Sequence, residues 1–334
     1  MTIARKNIVD NETAGFYHCT NRCVRRTFLC GFDEFTKIDY THRKDWLEKR
    51  MIELCDIFSV DLFAFAVMDN HYHAVLYLEP LAPLKWSDEE VAERWLRAYL
   101  GRLSDMKFAK QRELKKQAIM ADKEKLTLYR ERLGSLSWFM SRLNEPLAKQ
   151  SNKEDICTGR FWEGRYSAQA LLDEAAVFSA MAYVDLNPIR AKLAETLEDS
   201  TNTSIKKRLN SIKKLDSIKV QETLDASIAS LSNKIKSKRL PMTLKSYIEL
   251  VEWSGKAIHY PNKNAMPAHI KSSLQQLNLQ QNHWLKQIEH YGKSYCHFVG
   301  PIELIKEKAK QLSLKWMKGN KAARLLFDKP KPAS

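Results

Sequence analysis

An α+β fold, in which one antiparallel sheet is backed by helices, is what three features of this sequence predict. Strand-like and helix-like periodicities interleave up to about residue 195 in the order β-α-β-β, helical insertion, β-α. The chain has 334 residues, 44% of them hydrophobic, which is enough to bury a substantial core. Its positive charge is confined to the C-terminal part: residues 1–200 hold 30 Lys and Arg against 31 Asp and Glu, whereas residues 201–334 hold 25 against 9. Two parts are therefore expected, an α+β domain over residues 1–195 and a basic, mainly helical region over 196–334.

The elements are read in chain order. Residues 16–22 (FYHCTNR) read as a strand, and residues 41–59 carry the helical spacing Trp46, Met51, Leu54, Cys55, Phe58. DLFAFAVM (61–68) and HAVLYL (73–78) read as two further strands, with Asp69 and Asn70 supplying the turn. Residues 86–152 are charged and helical in period apart from one apolar run at 136–143, and read as an insertion. FWEGRYSAQAL (161–171) is a fourth strand candidate. Asp173 then stands as an N-cap, and Pro188 ends or kinks the following helix at Asn187. ETLEDSTNTS (195–204) has the composition of a linker, and beyond it Lys206/Lys213 and Lys207/Lys214 repeat two helical turns apart.

Composition excludes several classes. No apolar run approaches the roughly 18 residues of a membrane helix, and the N-terminus lacks a signal-peptide core, so a cytoplasmic, nucleoid-associated protein without a membrane partner is expected. Six cysteines without a CxxC pair indicate neither a disulfide framework nor a zinc ribbon. The net charge of +15 calls for an anionic partner, nucleic-acid phosphates or an acidic membrane surface being the usual ones, unless it is only a solvated basic surface.

Two constellations could carry chemistry. In His71-Tyr72-His73, at the start of a strand, alternation points both imidazoles one way and Tyr72 the other, which makes a divalent-metal clamp. Alone, the triplet is equally compatible with two unrelated polar residues at a strand edge. Tyr183 and Asn187 lie four apart on one helix face with Ala176 and Ala180, a stripe that permits close approach to a sheet. Alone, they fit an ordinary half-buried aromatic and an ordinary helix terminator.

Taken together, FYHCTNR, VMDNHYHAVL, GRFWEGRYSAQAL and AYVDLNPIRA resemble, in order and spacing, the single-tyrosine HUH transposases, above all the REP-associated tyrosine transposases. The resemblance spans about residues 15–195, and its most specific part is the HUH triplet paired with Y-x-x-x-N-P-x-R-A. It implies a ferredoxin-like domain, His71 and His73 as metal ligands completed by Asn187, and Tyr183 as nucleophile. The long insertion and the basic C-terminal region depart from the shortest members and leave target recognition open.

The implied reaction cuts and rejoins single-stranded or hairpin DNA at palindromic repeats through a 5′-phosphotyrosine link, with Mg²⁺ or Mn²⁺ polarising the phosphate. Histidine ligands favour tolerance of Mn²⁺ over strict use of Mg²⁺. The expected phosphate contacts are Arg22, Arg25, Arg26, Arg160, Arg165, Lys206, Lys207, Arg208, Lys213 and Lys214. Tyr17, Tyr72 and Tyr166 are rival nucleophiles that lack the asparagine partner, His18 either supports the site or packs, and Trp253, Trp284 and Trp316 read as core anchors. A DNA-binding protein that no longer transposes and an unrelated HxH phosphoesterase are the alternatives. Oligomeric state, monomer or homodimer, is left open.

Overall fold

The computed structural model describes residues 3–24, 30–34, 37–99, 106–232, 238–260 and 265–327. The chain begins with β1 (Gly15–Arg22), a ribbon of β2 (Phe32–Asp33) and β3 (Ile38–Asp39), α1 (His42–Cys55), β4 (Val60–Val67) and β5 (His71–Leu78). Four helices come next, α2 (Asp88–Ala98), α3 (Ala109–Met120), α4 (Lys123–Leu133) and α5 (Leu136–Glu154). Then come β6 (Ser167–Leu171), α6 (Glu174–Asp185), α7 (Asn187–Arg190), α8 (Ser204–Ile212) and α9 (Ser217–Asp225). A second ribbon, β7 (Ser227–Ala229) and β8 (Arg239–Thr243), leads to α10 (Leu244–His259), α11 (Ala268–Gln276), α12 (Gln281–Ser294), β9 (Phe298–Val299), α13 (Ile302–Gln311) and α14 (Asn320–Leu326).

The architecture is α+β, around a five-stranded mixed sheet in the order β4-β5-β1-β6-β9. The β4–β5, β5–β1 and β1–β6 pairings are antiparallel, and β9 adds to β6 in parallel. Every residue of β4 is buried because both faces of the sheet are covered. One face meets α1 and α5, where Phe58 packs edge-on against Phe139 at 5.8 Å. The other meets α6, whose residues from Ala175 to Asp185 are all buried between the sheet and the C-terminal helices.

Local signals place the ends of α6. The Asp173 side chain accepts the Ala176 amide at 2.8 Å and caps the start, and the helix stops at Asp185 before Asn187 and Pro188 begin α7. Asp185 ties this helix to its neighbours: its carboxylate accepts the Ile205 amide at 2.9 Å, the Tyr247 hydroxyl at 2.6 Å and the Ser204 hydroxyl.

Several segments differ from the sequence expectation. The strand expected over 161–171 forms only at Ser167–Leu171, while Trp162 reaches α5 by donating its indole N–H to the Asn144 carbonyl at 3.0 Å. The expected linker is bound to the sheet edge: the Asn202 carbonyl accepts the Val67 amide at 3.0 Å, and Thr203 caps α8. The sheet gains a strand from the basic region through the parallel pairing of β9 with β6, which the sequence did not reveal because two residues offer no periodicity to read. Residues 196–334 thus share one hydrophobic core with residues 1–195. No described helix is long and apolar enough to cross a membrane.

Candidate active site

β5 carries the histidine pair and β1 runs beside it, with Arg22 opposite His71 and Thr20 opposite His73. Strand alternation separates the triplet as the period of two requires. The rings of His71 and His73 lie 5.0 Å apart on the α6 face, while Tyr72 passes through to the other face and donates its hydroxyl to Asn144 at 2.8 Å.

A chain of hydrogen bonds sets the protonation of His73. With the Gln169 amide oriented oxygen-first, Oε1 only accepts, so the 2.8 Å contact makes His18 Nδ1 the donor. Burial pushes His18 down to about 4, leaving a neutral ring whose Nε2 accepts. His73 Nδ1, 3.0 Å away, then donates, and His73 Nε2 is left with a lone pair. That atom is buried and has no hydrogen-bond partner. His71 is arranged similarly, its Nδ1 2.6 Å from Asn70 Oδ1, and burial reinforced by Arg22 holds it down to about 4. Both imidazoles are therefore neutral, the state in which a histidine ligates a metal.

The Tyr183 ring stands edge-on to His73 at 5.5 Å and to His18 at 5.9 Å. Its faces are occupied as well: Tyr291 of α12 stacks on it at 4.7 Å, and the Arg190 guanidinium lies 4.3 Å from its centroid. Arg190 is held by donating to the Glu289 carbonyl at 2.9 Å and brings a positive charge beside the hydroxyl-bearing ring. Asn187, one turn beyond Tyr183, is buried, and its Nδ2 has no partner. Turning that amide would present Oδ1, a cation ligand, at the same place. Among the described residues no group of three or more His, Cys, Asp or Glu stands where it could hold a metal ion. The donor set is instead two imidazoles and one amide: His73 Nε2 and the Asn187 amide are buried without partners, His71 is half-buried beside His73, and imidazole with amide oxygen is a donor chemistry that fits a divalent cation.

The rival tyrosines are engaged elsewhere. Tyr17 accepts the Asp10 amide at 3.0 Å, and the Tyr166 hydroxyl lies 3.3 Å from that of Ser137. Of the expected phosphate contacts, Arg22 is exposed at the histidine end of β1 and close enough to act on both histidines. Arg160 and Arg165 are exposed on the segment entering β6, and Arg25 and Arg26 lie outside the described residues. Arg208 is a correction: it is buried, donates to the Phe63 and Ala229 carbonyls at 3.0 Å each, and has no free face for a phosphate. Lys206 and Lys213 pair with Glu198 and Lys207 with Glu48, while Lys214 is exposed.

Sequence reasoning passed over Gln169 and Tyr291, left His18 undecided, and gave Arg190 no role although it stands in the N-P-x-R motif. Trp284 is fully buried and Trp253 packs against the core, but Trp316 is 71% exposed and anchors nothing.

No family profile and no curated relative matches this chain. Among solved structures it is similar to that of a REP-associated tyrosine transposase bound to a REP hairpin, at 12% identity over 63% of this chain and 86% of that one. The TM-score is 0.37, below the level at which a shared fold is established.

Proposed function

We propose that this chain is a transposase that cuts and rejoins single-stranded DNA at hairpins or palindromic repeats, with Tyr183 as nucleophile. The observation that carries the reading is the packing of Tyr183 against His73, whose bare Nε2 is buried with no partner. The run β1-α1-β4-β5-α5-β6, with spatial order β4-β5-β1-β6 and every neighbour antiparallel, supports the ferredoxin-like domain that the sequence resemblance implies. In that reading α5 belongs to the framework and α2, α3 and α4 are the insertion.

His71, His73 and Asn187 would hold Mg²⁺ or Mn²⁺, which when bound would polarise the scissile phosphate and offset charge in the transition state. Tyr183 gives its hydroxyl proton to solvent water and attacks phosphorus; the bond to the 3′-oxygen breaks, and that oxygen takes a proton back from water and leaves as a 3′-hydroxyl. A 5′-phosphotyrosine remains, and attack by another 3′-hydroxyl reverses the step and joins new ends. Arg190 favours the charge that develops on the tyrosine oxygen. Tyr291 restricts where the ring can go.

The test is a denaturant-resistant adduct between the protein and a labelled hairpin oligonucleotide in Mn²⁺. Mapping it by mass spectrometry should find the modified peptide at Tyr183. An adduct on Tyr17, Tyr72 or Tyr166, or none, overturns the assignment.

A further inference from the structure

A cleft of about 360 Å³ lies between α12 and α14, and no sequence motif pointed to it. Its lining includes Trp316, exposed Lys286, Lys318 and Lys321, and the amides of Gln287 and Asn320. Three features set it apart from ordinary basic surface. Trp316 leaves 71% of its area in water, where an indole gains nothing from packing. Gln287 and Asn320 line the cleft, and their Oε1 and Oδ1 atoms are closed to water with no hydrogen-bond partner, a costly state that turning either amide toward a ligand in the cleft would relieve. Among the described residues, none of the three lysines has a carboxylate at ion-pairing distance.

We propose that this cleft binds one base of single-stranded DNA, stacked on Trp316, edge-bonded to Gln287 and Asn320, with flanking phosphates on the lysines. The chemistry suits this occupant in particular. An aromatic platform among cations is how single strands are held, because every base has a π-face and every nucleotide a phosphate. Amides meet the donors and acceptors of a base edge, which an unpaired base exposes and a lipid headgroup lacks. The location serves the same chemistry: α12 carries Gln287 into the cleft and Tyr291, one turn or roughly 6 Å along the axis, onto Tyr183. A strand seated here lies beside α12, whose Tyr291 packs on the proposed nucleophile. The inference rests on the proposed single-stranded DNA substrate and extends it to a second point of contact.

The experiment measures binding of full-length protein to a fluorescent single-stranded oligonucleotide by anisotropy, without metal. Trp316→Ala should weaken binding about tenfold, on the scale of one base stack removed, and Trp316→Phe should restore most of it. On a strand with abasic sites the wild-type protein and Trp316→Ala should bind alike. Lys318→Gln with Lys321→Gln should lower the salt slope by about 0.7 per lysine. Trp316 is exposed, so thermal unfolding should not change and a folding defect is not expected to confound the result. Unchanged affinity in Trp316→Ala, an equal loss on abasic strands, or tighter binding of duplex or RNA than of single-stranded DNA overturns the inference. A Tyr183 adduct with no effect of Trp316→Ala removes the cleft and keeps the transposase reading, while Trp316-dependent binding with no adduct does the reverse.

Discussion

Replacing Gly292 by alanine sets a methyl group against the hydroxyl of Tyr183. A Cβ at that position lies 2.8 Å from Tyr183 Oη and 3.6 Å from Cζ, so the oxygen falls about 0.6 Å short of the 3.4 Å where ordinary contact begins. The ring cannot slide freely to relieve this, since Tyr291 stacks on it at 4.7 Å, Arg190 lies at 4.3 Å and His73 stands at its edge at 5.5 Å. The hydroxyl must therefore shift by roughly half an ångström. On the scale of about a hundredfold per 1 Å of misplacement, that costs on the order of tenfold in reaction rate. Stability should hold or fall slightly, because up to about 1 kcal/mol of helix propensity gained by Gly→Ala offsets the strain of displacing a ring held on its faces and edge. The assay is single-turnover adduct formation with Mn²⁺ alongside thermal unfolding of the same samples. An unchanged adduct rate would refute the reasoning, showing either that Tyr183 is not the attacking group or that α12 does not constrain it.

Other outcomes are expected from the same geometry. EDTA should abolish nicking and excess Mn²⁺ restore it, and His73→Ala should remove nicking while oligonucleotide binding survives; nicking that persists in EDTA would sink the metal assignment. Tyr183→Phe removes one oxygen and keeps the ring stack, so binding should hold within about twofold in anisotropy while adduct formation falls to background. Gly134→Ala places a Cβ 2.2 Å from the Pro80 carbonyl oxygen, a backbone clash that should cost several kcal/mol in chemical denaturation, whereas Gly164→Ala, with nothing within 4 Å, should cost no more than about 0.5 kcal/mol. Cutting the chain after about residue 200 would remove β9 and uncover α6, so the contribution of the basic region is better measured by lysine substitution in the full chain, where the salt slope should fall in proportion to the number of phosphates no longer neutralised.

What the sequence determined by itself was whatever depends on near neighbours. The opposed directions of Tyr72 and the two histidines result from a strand period of two. The start of α6 is set by the Asp173 cap, and its end falls at the Leu186 cap, just ahead of Pro188, which has no amide to continue the hydrogen-bond ladder, while Asn187 itself opens α7. The four antiparallel strands carried enough alternation or apolar length to be seen, though the strand expected over 161–171 shortened to five residues. What only the tertiary structure decided was the surroundings of each group. His18 finds Gln169 across 151 residues of sequence and His73 across 55, and no local pattern shows that those contacts leave His73 Nε2 bare. Arg208 and Lys214 look alike in a basic run, yet one is buried under two carbonyls and the other is exposed. Tyr291 and Gly292 became neighbours of Tyr183, and Trp316 was left in water, through the packing of α12 and α14 on a sheet whose last strand is two residues long. The physical reason is that backbone direction is set within a turn or a strand, while burial, tautomer and the pairing of charges are set by whatever the rest of the chain folds against each side chain.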